Sequence, residues 1–173
     1  MLRRRAGWPH PDAPAGTQGG EKHRTVQPFI STVVNKLDAK GRVSVPAPFR
    51  QVLAQQSFRG FYCFPSFVHP TLEGFGEDML ADIQARLTGD PFFSDDFDAR
   101  AQAIIGECQM MNLDDEGRVR LPDEFIAHAR IKDRVLFTGM IKKFQIWDPE
   151  VFEPIRKERI ARALASRTTG EAA

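Results

Sequence analysis

Apolar positions change their period several times along the chain, and each change marks an element. Phe29-Ile30-Ser31-Thr32-Val33-Val34 is β-branched and aromatic, which predicts a strand. Residues 35–41 are polar and turn-prone, and Arg42-Val43-Ser44-Val45 then alternates polar and apolar side chains, the period of a half-buried strand. Pro46 and Pro48 stop that strand and open a short helix over 49–55, because proline suits a first helical turn. Residues 58–64 and 66–68 read as two further strands. Leu72, Phe75, Met79, Leu80, Ile83 and Leu87 recur at helical spacing and predict a helix that ends at Thr88-Gly89-Asp90-Pro91. A second helix is expected over 97–105. Strand-like pattern returns at 108–111, 118–121, 135–138 and 143–147. An amphipathic helix with Val151, Phe152, Ile155, Ile160 and Leu164 closes the chain. Arg156, Lys157, Arg159 and Arg162 suit its later part.

Residues 1–28 are rich in Pro, Gly, Arg and small polar types and show no periodicity. Such a stretch has too little apolar area to offset its ordering entropy, so it is expected to be a disordered extension. Residues 166–173 are expected to be a disordered tail.

The middle of the chain repeats itself. Residues 37–49 (LDAKGRVSVPAPF) align without a gap on residues 113–125 (LDDEGRVRLPDEF), and Leu, Asp, Gly, Arg, Val, Pro and Phe coincide. At ordinary residue frequencies about one coincidence would arise by chance over this length. The surroundings repeat too, as strand, turn, strand, short helix and strand pair. The division is therefore into a first repeat with its linking helix, 29–92, and a second repeat with the terminal helix, 93–165.

Local chemistry accounts for most of the shared segment. Asp accepts hydrogen bonds from turn amides, and Gly takes the positive φ that such a turn needs. Val and the next apolar residue face the core, Pro ends strand pairing, and Phe anchors the short helix. Arg leaves the turn where it can pair with Asp or meet a phosphate.

The copies differ in charge. Lys36, Lys40, Arg42 and Arg50 surround the first against Asp38 alone. Around the second, Asp114, Asp115, Glu116, Asp123 and Glu124 outnumber Arg118 and Arg120. A polyanion should therefore meet the first copy more closely.

Composition narrows the partners. Over 173 residues the apolar and charged fractions are 42% and 27%, ordinary for a globular protein, and the net charge is only +1. Nucleic-acid binding thus requires a local basic patch. Cys63 and Cys108 form no Cys-x-x-Cys pair and have no His at ligand spacing, so free thiols are expected, with no metal and no cofactor. No apolar run approaches the roughly 20 residues of a membrane span, and no apolar stretch follows the basic start, which points to the cytoplasm.

An enzyme is a weak alternative. Two Asp residues related by an internal repeat resemble the paired carboxylates of aspartic proteases, which share a proton. Here Arg or Lys follows each Asp, lowering both pKa values and removing that proton. Phosphate-loop, Gly-x-Ser-x-Gly and Cys/His patterns are absent as well, so neither an activity nor a small-molecule substrate is expected.

Residues 35–50 (NKLDAKGRVSVPAPFR) resemble the first signature of the bacterial MraZ proteins. Residues 113–122, then Val135-Leu136-Phe137-Thr138-Gly139 and Phe144-Gln145-Ile146-Trp147-Asp148-Pro149, resemble the second. The resemblance runs from about 29 to 165. It implies an α+β fold in which two AbrB-like halves form a pseudo-twofold swapped-hairpin β-barrel flanked by helices. It also implies a ring-forming, nucleoid-associated regulator that binds double-stranded DNA at short direct repeats upstream of its own division and cell-wall operon. The DNA-contacting element carries over to Asp38, Lys40, Gly41 and Arg42, with Lys36 and Arg50 beside it, and to Asp114, Gly117 and Arg118. Glu116 stands where the first copy has Lys40. The other class considered is an oligomeric protein-interaction scaffold, which Phe92, Phe93 and Phe152 would serve and which would bind DNA only incidentally.

Overall fold

The computed structural model describes residues 27–87 and 94–170. Most of the N-terminal extension, the Thr88–Pro91 helix stop and Phe92-Phe93 lie outside the described residues. The elements are β1 (Thr32–Lys36), β2 (Arg42–Ser44), α1 (Ala47–Leu53), β3 (Gly60–Pro65), β4 (Leu72–Phe75), α2 (Glu77–Leu87) and α3 (Asp95–Ala101). After α3 comes a π-helical turn, Gln102–Gly106. Then follow β5 (Gln109–Asn112), β6 (Arg118–Arg120), α4 (Asp123–His128), β7 (Arg134–Met140), β8 (Lys143–Trp147) and α5 (Pro149–Gly170). Helices thus flank an antiparallel six-stranded sheet, β1-β7-β8-β4-β3-β5, and β2 and β6 form a separate two-stranded ribbon.

Pairing crosses between the repeats. The opening strand of the first repeat, β1, pairs with β7 of the second, while β5, its counterpart, pairs with β3 of the first. The turns beyond these strands match as well: Leu37 N donates to the Asp133 carbonyl at 2.8 Å, and Leu113 N to that of Arg59 at 2.9 Å. Two short repeats that each lack a full sheet thereby satisfy each other's edge amides.

Two expectations are corrected. Residues 66–68 do not form a strand. They belong to the loop between β3 and β4, closed by Ser66 N donating to the Thr71 carbonyl at 2.9 Å, and they leave Phe67 and Val68 exposed. Strand-like composition needs a partner ladder, and no strand among the described residues pairs with this loop. Leu72 and Phe75 do not begin the linking helix either, since they lie in β4, between β3 and β8. Their i, i+3 spacing imitates a helix, but this strand is buried on both faces, so its apolar positions do not alternate. The helix starts at Glu77. At the other end, α5 continues to Gly170, past the expected boundary at 165.

One core serves both repeats. The motif residues Val43, Val45 and Phe49 and their counterparts Val119, Leu121 and Phe125 are all buried in it. Phe144 sits at the aromatic centre, with ring centroids 4.9 Å from Phe29, 5.2 Å from Phe49 and 5.1 Å from Phe61. A smaller cluster of Leu136, Trp147 and Phe152 seats α5 on the outside of β7 and β8. That helix starts as Trp-Asp-Pro suggests: Asp148 Oδ1 accepts from Glu150 N at 2.9 Å, and Pro149 opens the first turn.

Candidate nucleic-acid interface

Each repeat folds its Asp-x-x-Gly-Arg segment into the same turn. Asp38 Oδ1 accepts from the amides of Lys40 at 2.8 Å and Arg42 at 2.9 Å, while Oδ2 accepts from Arg42 Nε at 2.8 Å. Asp114 does the same with the amides of Glu116 at 3.0 Å and Arg118 at 2.9 Å, and with Arg118 Nε at 2.9 Å. Gly41 and Gly117 hold φ values of +73° and +74°, the left-handed conformation that glycine alone adopts without strain. In both turns the glycine amide donates to the Asp carbonyl at 3.0 Å.

These bonds stabilise the ionised carboxylates. The hydrogen bond from the Arg42 amide is the largest cause lowering the Asp38 pKa to about 2, and the Arg42 side chain and Lys40 amide add to it. Asp114 is lowered for the same reasons, the Arg118 amide first. Each Asp uses both oxygens within its own turn, so the two are not a proton-sharing catalytic pair.

The turns are joined by the β2–β6 ribbon, whose register pairs Arg42 with Arg120, Val43 with Val119 and Ser44 with Arg118. Arg42 and Arg118 are repeat equivalents, and so are Ser44 and Arg120. Each residue therefore faces its partner's counterpart, and a pseudo-twofold axis passes through the Val43–Val119 pair. Bonds at the ribbon ends obey it too: Val45 N donates to the Gly117 carbonyl at 3.0 Å, and Leu121 N to that of Gly41 at 2.9 Å. The valines are buried, so strand alternation places Arg42, Ser44, Arg118 and Arg120 together on the outer face.

Side-chain chemistry breaks this symmetry. Arg118 is held twice, by Asp114 and by Glu116, whose Oε2 lies 2.6 Å from Nη1. Its pKa is raised, chiefly by the Asp114 bond. Arg42 is bound only through Nε to Asp38, and the side chains of Lys36, Lys40 and Arg120 pair with no other described residue.

Arg50 is not beside the first turn, where its sequence position suggests it belongs. It crosses to the second, donating from Nη1 to the Glu116 carbonyl at 3.2 Å and lying over Gly117. Ile126, at the matching place, lies over Gly41. Arg59 also reaches the second turn, with Nη1 3.2 Å from Asp115 Oδ1. Of the acidic side chains counted around this copy, Asp114 and Glu116 are thus met by Arg118 and Asp115 by Arg59.

Lys36 ends β1 opposite Arg134, placing two exposed cations next to the first turn. Sequence reasoning missed Arg120 and Arg134 as members of this surface. Arg118-Val119-Arg120 carries the alternation that could have found the first. The second is brought in by pairing across the repeats.

Among the described residues no cluster of His, Cys, Asp or Glu could hold a metal ion, and no helix is long and apolar enough to cross a membrane. Cys63 is free and buried, with its pKa raised mainly by desolvation. Cys108 is free and half-buried.

A family model described as "MraZ protein, putative antitoxin-like" matches residues 104–171. Proteins named Transcriptional regulator MraZ are similar over most of their length. That of Xanthobacter autotrophicus is 45% identical over 122 residues, which span 70% of this chain and 78% of the relative. That of Azorhizobium caulinodans is 43% identical over 124 residues, 72% and 79% of the two chains. That of Pelagibacter ubique is 38% identical over 128 residues, 74% and 83%. These relatives carry the name of a regulator and not of an enzyme. With identity at this level over such a share of both chains, and with the duplicated turn built twice in one way, this chain belongs to the MraZ family.

Proposed function

We propose that this chain is a sequence-specific DNA-binding transcriptional regulator that meets double-stranded DNA through its two Asp-Arg turns and the ribbon between them. The observation that carries the reading is the outer face of that ribbon. It is a two-stranded surface with Arg42, Arg118 and Arg120 along it, an Asp-locked turn at each end, and beside the first Lys40 and Lys36, whose side chains pair with no described residue. A two-stranded ribbon fits the major groove, and arginine is the side chain most suited to guanine edges and phosphates. Locking Nε to Asp directs the rest of the Arg42 guanidinium outward at small entropic cost.

The finer reading follows the family. The exchanged pairing of β1 and β5 supports an AbrB-like swapped-hairpin barrel. The regulator acts in the cytoplasm at the nucleoid, on short direct repeats upstream of its own operon in the division and cell-wall cluster. It works as a homo-oligomeric ring. Net charge of +1 gives one subunit little nonspecific affinity, and several ribbons on repeated sites compensate through effective concentration.

Gel-shift titration of the duplex upstream of the chain's own gene tests this. Arg42→Ala should weaken binding by at least about tenfold, the scale of a lost bidentate arginine contact, with an unchanged sedimentation profile. Arg118→Ala should cost less, because Glu116 already engages that side chain. Wild-type affinity in Arg42→Ala would refute the assignment, and salt-independent or absent binding would favour the scaffold.

A further inference from the structure

The two ends of the ribbon are related by symmetry but not by charge. At one end Arg42 is directly opposite Arg120, a side chain from the other repeat, and Lys40 stands on the turn next to them. Arg120 and Lys40 are exposed, and neither pairs with another described residue. At the other end Ser44 replaces the arginine opposite Arg118, and Glu116 replaces the lysine and grips Arg118 Nη1 at 2.6 Å. Like charges directly across two strands are unfavourable without a counter-ion. Asp38 answers the charge of Arg42, but the side chains of Arg120 and Lys40 beside it meet no described counter-ion, so this end of the ribbon keeps a surplus of positive charge and is a place prepared for an anion.

Resting on the DNA-binding reading above, we propose that Arg120 is a DNA-contacting residue. With Arg42 and Lys40 it makes a cationic end that seats on backbone phosphates, while the Glu116-held end stays lighter on the duplex. The chain therefore lies on DNA in one direction. A fully twofold ribbon would read both directions equally and would match inverted half-sites. An electrically polar one distinguishes them, as head-to-tail repeats require. Sequence alone conceals this, because Arg120 belongs to the copy that reads as acidic and works at the end of the copy that reads as basic.

Fluorescence anisotropy with the duplex upstream of the chain's own gene tests the proposal across about 50–200 mM salt. Arg120→Ser, which installs the residue found at the equivalent place in the first repeat, should weaken binding about five- to tenfold and lower the log–log salt slope by about 0.9 for the lost phosphate contact. Arg120 is exposed and its side chain pairs with no other described residue, so the variant's circular dichroism and sedimentation should match wild type. A second arm uses the same duplex with one repeat inverted. Wild type should prefer the direct arrangement, and the symmetrised variant Ser44→Arg/Glu116→Lys should lose most of that preference. If Arg120→Ser binds as wild type does, or if the symmetrised variant keeps the full preference, the proposal is overturned. If the wild-type chain binds neither duplex, the DNA-binding reading itself fails.

Discussion

Gly74 offers a test of how tightly the shared core is specified. It faces Phe144 across the β4–β8 pair, and the phenyl ring occupies the space a side chain at residue 74 would need. A methyl added there would lie against Phe144 Cε2, 2.5 Å from Cζ and 3.0 Å from Cδ2. The ring cannot easily yield, because Phe29, Phe49 and Phe61 hold it at centroid distances of 4.9–5.2 Å. Overpacking of this kind costs about 1–3 kcal/mol. Replacing glycine restricts the unfolded chain and returns about 0.4–1 kcal/mol, so Gly74→Ala should destabilise by about 1–2 kcal/mol. For a chain of this length that lowers the melting temperature by about 2–8 °C. Urea unfolding at fixed protein concentration measures it, since assembly would otherwise contribute. If the ring is the obstacle, the cost should fall below about 0.5 kcal/mol in a Phe144→Leu background, a coupling that a double-mutant cycle isolates. Gly74→Ala at wild-type stability, or an equal cost in both backgrounds, would refute the reasoning.

Two further outcomes are expected. Asp38 is lowered to about 2 from 3.8, so the stability its ionised form contributes is complete above about pH 4 and is lost as pH falls through 2. The protection factors of the Lys40 and Arg42 amides, taken relative to the intrinsic exchange rate at each pH, should fall over that interval, and Asp38→Asn should remove this fall. Glu116→Gln should strengthen DNA binding severalfold and raise the salt slope by about 0.9, because Arg118 is released to one more phosphate. That gain should disappear in an Arg118→Ala background. An equal gain there would show that residue 116 acts on DNA directly and not through Arg118.

Much of this architecture was legible from residue order. Asp38, Gly41 and Arg42, like Asp114, Gly117 and Arg118, make contacts that span only a few residues. Local bonding and the φ preference of glycine specify such turns completely. The period-2 pattern of Arg42-Val43-Ser44-Val45 identified its buried valines, and Trp-Asp-Pro identified the start of α5. The reading of 66–68 as a strand and of Leu72 and Phe75 as helix failed for a common reason. Whether an apolar segment becomes a strand depends on whether a partner ladder reaches it, and a strand buried on both faces has no period to read.

The repeat, then, was determined by the sequence alone: two copies of one turn, each with an arginine tied to an aspartate, and a core built on matching Val and Phe positions. Tertiary structure decided what the copies do to each other. Exchanged pairing sends Arg50 to the second turn, sets Arg134 beside Lys36, and lays Arg120 opposite Arg42. Charges counted along the chain assigned basic character to one copy and acidic character to the other. Electrostatic attraction depends on distance in space, and antiparallel pairing puts residues far apart in the chain at the nearest separations of all. The basic end of the ribbon is therefore made by both repeats together.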